Sequence, residues 1–132
     1  MNKKITIEIT ENQLDVIRQA CDVYSRVLCG QVECLATDKN IFQRYMDNKC
    51  CRKATDEALK ILKNIVFPEL YPNASYGIMQ NEAPDDARTA CDIHRACEKY
   101  FAEQDLENNQ HNVYLHKFSA DTKNDFPNIK IV

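Results

Sequence analysis

Arg88, Asp92, His94 and Arg95 fall within two helical turns of one another, and Ser75-Tyr76-Gly77 lies just upstream in a polar loop. These residue types can hold an anion. Arginine offers a planar fork of donors to phosphate, and tyrosine stacks on a base. Glycine lets a backbone N–H approach a ligand closely. A loop leading into a helix adds unpaired backbone donors and the positive end of the helix dipole. Earlier in the chain, Tyr24-Ser25-Arg26 places an aromatic ring and a guanidinium about 200° apart around a helix, one bordering the core and the other facing outward. The expected ligand-binding set is Tyr24, Arg26, Ser75, Tyr76, Gly77, Arg88, Asp92, His94 and Arg95. Arg26, Arg88 and Arg95 would neutralise phosphate, Tyr24 or Tyr76 would stack, and Ser75 would add a hydroxyl. Asp92 and His94 would contact ribose or brace the arginines.

Other constellations carry less chemistry. Cys91, His94 and Cys97 recur every three residues, close enough around a helix for soft-metal ligands. No Cys-x-x-Cys pair accompanies them, and three ligands from one helix suit tetrahedral geometry poorly. No metal is expected, and the residues read as core. Cys50-Cys51 sits among Lys49, Arg52 and Lys53, a setting for redox chemistry that lacks a resolving partner. The acidic pairs Asp85-Asp86 and Glu103 with Asp105 fall at helix ends, where they complement the dipole or simply solvate the surface. With no catalytic set and no cofactor motif, the chain reads as a binding protein and not an enzyme.

These side chains need a scaffold of 132 residues, one domain's worth, with only two glycines and four prolines. So little punctuation favours long helices over a β-sandwich. The formal net charge of -3 gives no global basic field for nucleic acid. Seven cysteines, a start without a signal peptide's apolar core, and the absence of an apolar run of about 20 residues point to reduced thiols, a cytoplasmic address and no membrane.

Ile5, Ile7 and Ile9 alternate with polar residues, the pattern of a strand with one buried face. Thr10 and Gln13 have the spacing of a capping box that opens a helix over 11–29. Its apolar face includes Leu14, Ile17, Cys21, Tyr24 and Leu28 and is wide enough to pair with a symmetry mate in a homo-oligomer. Short helices are expected over 31–35 and 40–47. A longer helix over 53–67 carries Ala58, Ile61, Leu62, Ile65 and Val66 on one face and ends at Pro68. Another is predicted from Pro84 to residue 104. Residues 107–112 read as a turn and 113–118 as a strand pairing with the first. The expected fold is therefore α+β and mainly helical, with four to five helices and a small antiparallel sheet joining the two ends. A single compact domain over 1–118 would be followed by a docked tail over 119–132.

Ile5-Thr6-Ile7-Glu8-Ile9-Thr10, Tyr24-Ser25-Arg26 with Gly30-Gln31, Ser75-Tyr76-Gly77-Ile78, Asp86-Ala87-Arg88 with Asp92-Ile93-His94-Arg95, and the ending Pro127-Asn128-Ile129 span nearly the whole chain. Together they resemble a family of small, mostly uncharacterised phage and prophage proteins. Its cysteine richness departs from the family, so thiol chemistry is not implied. The resemblance implies an accessory protein of the host cytoplasm, and by analogy an anti-defence sponge that sequesters a cyclic nucleotide or a cyclic ADP-ribose-type signal. The alternative is an inhibitor that blocks a host or defence protein through the first helix. A nucleotide hydrolase would need clustered carboxylates or a metal site.

Overall fold

Thr10 and Gln13 close the start of the first helix. In the computed structural model, which describes residues 3–106, 115 and 118–132, the Thr10 N–H donates to Gln13 Oε1 at 2.9 Å and the Gln13 N–H donates to Thr10 Oγ1 at 3.2 Å. This reciprocal pair satisfies two donors that a helix start leaves orphaned, and α1 runs Glu11–Leu28. It ends at Gly30, whose φ of +85° is a left-handed conformation. The Gly30 N–H donates to the Val27 carbonyl at 3.0 Å and the Gln31 N–H to the Arg26 carbonyl at 2.9 Å, which is the Schellman termination. A Cβ at this position would also overlap Leu70 Cδ1. The left-handed backbone demands glycine here, and a Cβ would also have to displace the Leu70 side chain.

The remaining elements are α2 (Cys34–Thr37), a 3-10 turn (Phe42–Tyr45), α3 (Lys49–Val66) and α4 (Asp85–Gln104). α3 starts earlier than its apolar periodicity predicts because Asn48 caps it, its side chain accepting from the Cys51 N–H at 2.9 Å. Pro68 follows its end and Pro84 precedes α4, whose first turn holds Asp85 and Asp86. None of these helices is long and apolar enough to cross a membrane.

The chain divides into two compact units, Met1–Ser25 with Asp85–Val132, and Arg26–Pro84. In the first unit Leu14, Cys97 and Tyr100 form a core, with Ile17, Ile93, Phe101 and Ile129 packed against it. α1, α4 and the C-terminal segment each contribute to that core. In the second unit α2 packs on the 3-10 turn and on α3, burying Val32, Cys34, Ala36, Met46 and Leu59.

The expected sheet is not formed: among the described residues every regular element is helical. Residues 5–9 adopt no strand, and Ile5 and Ile7 are 83% and 72% exposed. The expected turn at 107–112 and most of the strand at 113–118 lie outside the described residues. The fold is helical instead of α+β. Alternation gives a segment one apolar face, but a strand forms only where a neighbouring strand pairs with it. In this unit the core is filled by helix side chains and Ile129.

α3 departs from expectation in a second way. An amphipathic helix ordinarily turns its apolar stripe to the core; here the stripe is outward, and the helix buries Leu59 and Lys63. Lys63 is only 2% exposed. Its Nζ donates to Glu33 Oε2 at 3.0 Å, to the Pro72 carbonyl at 3.0 Å and to the Ala74 carbonyl. An ammonium has three protons, and all three are taken. The substitution Lys63→Ala leaves a carboxylate and two carbonyls without their donor and is expected to cost about 3 kcal/mol. A urea midpoint lowered at unchanged slope would report it; a loss below about 1 kcal/mol would mean the cation is dispensable.

Candidate functional site

The polar corner of the first unit is built on α4. Arg88, Asp92 and Arg95 recur at helical spacing on one side of it, against the segment 118–124. Asp92 is buried at 3% exposure. Its Oδ1 accepts the Ala120 N–H at 2.6 Å, and its Oδ2 accepts the Ser119 hydroxyl at 2.8 Å and the Asp121 N–H at 3.2 Å. A buried carboxylate is tolerated only when its oxygens are so supplied. Its place in the site is therefore that of an anchor for the chain after residue 118.

Asp121 completes the latch. Its carboxylate accepts from Asn124 Nδ2 at 2.7 Å, from the Thr89 hydroxyl at 2.7 Å and from the Lys123 N–H at 2.8 Å. These donors, the Asn124 amide foremost, hold its pKa down at about 2. Nearby, Asp85 pairs with Lys123 and, at 3.1 Å, with Arg88. Those cations, Lys123 first, lower the Asp85 pKa.

Arg95 lies beside this latch. Its guanidinium carbon stands 4.7 Å from the centroid of the Phe118 ring, a cation–π stack. Among the described residues its buried Nε finds no hydrogen-bond partner, although buried donors are nearly always paired.

His94 belongs to a different arrangement. Its Nδ1 faces the Arg18 carbonyl at 3.1 Å, and a carbonyl only accepts, so that nitrogen carries the proton. Its Nε2 is 3.7 Å from Glu98 and 3.9 Å from Asp22. Arg18 joins Glu98 at 2.7 Å and Asp15 at 2.7 Å. The imidazole thus braces α1 against α4. On α1, Tyr24 is exposed instead of bordering the core, while Ser25 is buried and donates to the Ala87 carbonyl at 3.0 Å. Cys97 is fully buried within the core, and burial pushes its thiol up to about 11, far from a nucleophile's range. Among the described residues no group of three or more His, Cys, Asp or Glu is placed to hold a metal ion.

Arg26, Ser75, Tyr76 and Gly77 belong to the second unit. Lys63 fixes the loop at Pro72 and Ala74, and the Tyr76 N–H donates to the Cys29 carbonyl at 2.8 Å. The Tyr76 hydroxyl donates to Glu69, which pushes the phenol up to about 12. The Gly77 N–H, expected as an anion donor, is taken by the Gln80 side chain. Ser75 is exposed, and Arg26 donates to Gln31 Oε1 at 3.1 Å.

The structure thus brings Arg88, Asp92 and Arg95 together and places Tyr24 and His94 elsewhere in the same unit. The sequence reading missed Thr89, Phe118, Ser119 and Asp121. The turn-forming Ser119-Ala120-Asp121 with Asn124 was the available signal. A separate groove of about 260 Å³ lies between α4 and the C-terminal segment, lined by Lys99, Tyr100, Glu103, Phe126, Pro127 and Ile129. No family model, curated protein or solved structure matches the chain.

The substitution Asp92→Ala removes the acceptor for two backbone amides and one hydroxyl. Hydrogen exchange at Ala120 and Asp121 is expected to rise at least tenfold, and unchanged protection would refute the latch. Acid should open it as well. Because the Asp121 pKa is depressed on folding, its contribution is fully present above the ordinary carboxylate value near about 4. It is lost as the pH falls through about 2. The urea midpoint of Asp121→Asn should therefore fall less than that of the native chain over this interval.

Proposed function

We propose that this protein is a non-catalytic, protein-binding module that docks through the outer face of α3. The observation that carries the reading is the exposure of Ile61, Leu62, Ile65 and Val66, at 63%, 44%, 72% and 55%. They lie on adjacent turns of one helix, with Ile61 and Ile65 turned away from the buried Leu59 and Lys63 and Leu62 and Val66 bordering them. A contiguous apolar face of this kind, left in water, is the usual mark of a partner surface, and an amphipathic helix presents such a stripe to an apolar groove. α1, by contrast, exposes Val16 and Tyr24 singly. The carboxylates Asp92 and Asp121 are spent on the chain's own backbone, which supports a binding role over acid–base chemistry. The likeness to small phage proteins fits a host or defence protein as the partner.

A second reading, sequestration of a nucleotide-type anion, is favoured by one observation. Among the described residues Arg95 keeps a buried Nε without a partner, on a guanidinium stacked on Phe118, and an anion would supply the missing acceptor. Arg88 would add charge on the same side of α4. The N–H of Gly77 plays no part in this version.

The exposed stripe can be altered without touching the core. A chain carrying Ile61→Lys and Ile65→Lys should keep its helical circular dichroism. It should retain at least tenfold less of a specific protein from a bacterial lysate than the native chain does. Equal retention would overturn the docking face. If the native chain instead gains the intact mass of a cyclic nucleotide in native mass spectrometry, and Arg95→Ala does not, the second reading replaces the first.

A further inference from the structure

Among the described residues the segment 3–9 pairs with no other backbone, and it forms a one-faced ribbon attached to the first unit. Ile5, Ile7 and Ile9 stand on one side of its alternation, and Lys4, Thr6 and Glu8 on the other. Ile5 and Ile7 remain in water. At its C-terminal end the available backbone stops at Thr10, because the Thr10 N–H is already bonded to Gln13. An apolar, unpaired segment of this kind is a template for pairing with another chain.

We propose that this segment pairs with the same segment of a second copy as an antiparallel, two-fold-symmetric ribbon centred on Thr6. Charge complementarity selects both the partner and the register. Two-fold antiparallel pairing about Thr6 sets residue 4 opposite 8, 5 opposite 7, 6 opposite 6 and 3 opposite 9. Lys4 of each copy then faces Glu8 of the other, so one pairing yields two opposite-charge pairs. Thr6 meets Thr6, and on the opposite face Ile5 of each copy meets Ile7 of the other, with Ile9 facing Lys3. Cross-strand opposite-charge and threonine pairs each stabilise a ladder, and like charges directly opposite destabilise it. Centring on Thr6 also overlaps all of residues 3–9, the whole stretch left open before Thr10. Shifting the centre to Ile5 or to Ile7 sets Lys4 opposite Thr6 or Thr10 and leaves no Lys4–Glu8 pair. A single surface complementary to itself is what a two-fold interface requires.

In the lone chain Lys4 is paired with Asp125 at 2.9 Å, with both side chains more than four-fifths exposed. Exposed ion pairs of this kind contribute little, so Lys4 exchanges readily from Asp125 to Glu8 of a second copy. The pairing does not involve α3 and stands apart from the docking face proposed above.

Charge exchange tests it. Sedimentation velocity of the native chain across a concentration series should show a species of twice the chain mass. The variant Glu8→Lys sets lysine against lysine at both ends of the ribbon and should weaken the dimer roughly tenfold or more. The double variant Lys4→Glu with Glu8→Lys reverses both partners and should restore the dimer, although its own pair with Asp125 is gone. Circular dichroism reports the fold of each variant, and all the altered side chains are exposed. A native chain that stays monomeric throughout the series overturns the proposal. So does a dimer indifferent to Glu8→Lys, or a double variant that fails to recover.

Discussion

A carboxylate buried beside a helix sets the constraint on which the polar half of this protein depends. Asp92 sits at 3% exposure on α4, where an unsupplied charge would be severely penalised by the loss of water. The solution is to draw backbone donors onto it. Ala120 and Asp121 give their N–H groups and Ser119 its hydroxyl, which positions Asp121 for Thr89, Asn124 and Lys123. Phe118, one residue before this turn, stacks against Arg95. The aromatic ring of the candidate site is thus placed by an anion that the site does not itself use.

The second unit solves the opposite problem in the same way. Lys63 is a buried cation, and the loop after α3 folds so that two of its carbonyls, with Glu33, meet the three ammonium protons. Tyr76 then reaches the Cys29 carbonyl at the end of α1. In both units an ionic group on a helix organises an irregular segment. Both segments contain residues whose types suggest ligand chemistry. Their polarity is explained first by satisfying the chain's own groups, and among the described residues Arg95 Nε is left over.

Apolar exposure is distributed just as unevenly. The outer stripe of α3 and the isoleucines of the N-terminal segment face water, while the cores are made of modest residues such as Ala87, Ala90, Cys97 and Ala102. Small side chains in the core bring helices close but remove little apolar surface from water. Large aliphatic groups held outside are then available for association, where their burial contributes most.

Local rules determined much of what was legible in the sequence. The Thr10–Gln13 box, the left-handed Gly30, the stop at Pro68 and the start after Pro84 depend on neighbours a few residues apart, so these helix ends could be placed from sequence alone. Arg88, Asp92 and Arg95 share a side of α4 for the same reason, a helical period. Tertiary structure decided the rest. Whether the α3 stripe faces in or out turns on Glu33, Pro72 and Ala74 finding Lys63, contacts up to thirty residues away. Whether Asp92 binds a ligand or the chain itself depends on Ser119 and Ala120, reached across nearly as long a span. The period-2 pattern of Ile5, Ile7 and Ile9 marks which face is apolar but cannot supply a neighbouring strand. Periodicity records which side chains share a face; which face is buried depends on partners distant in the chain, and only folding brings those together.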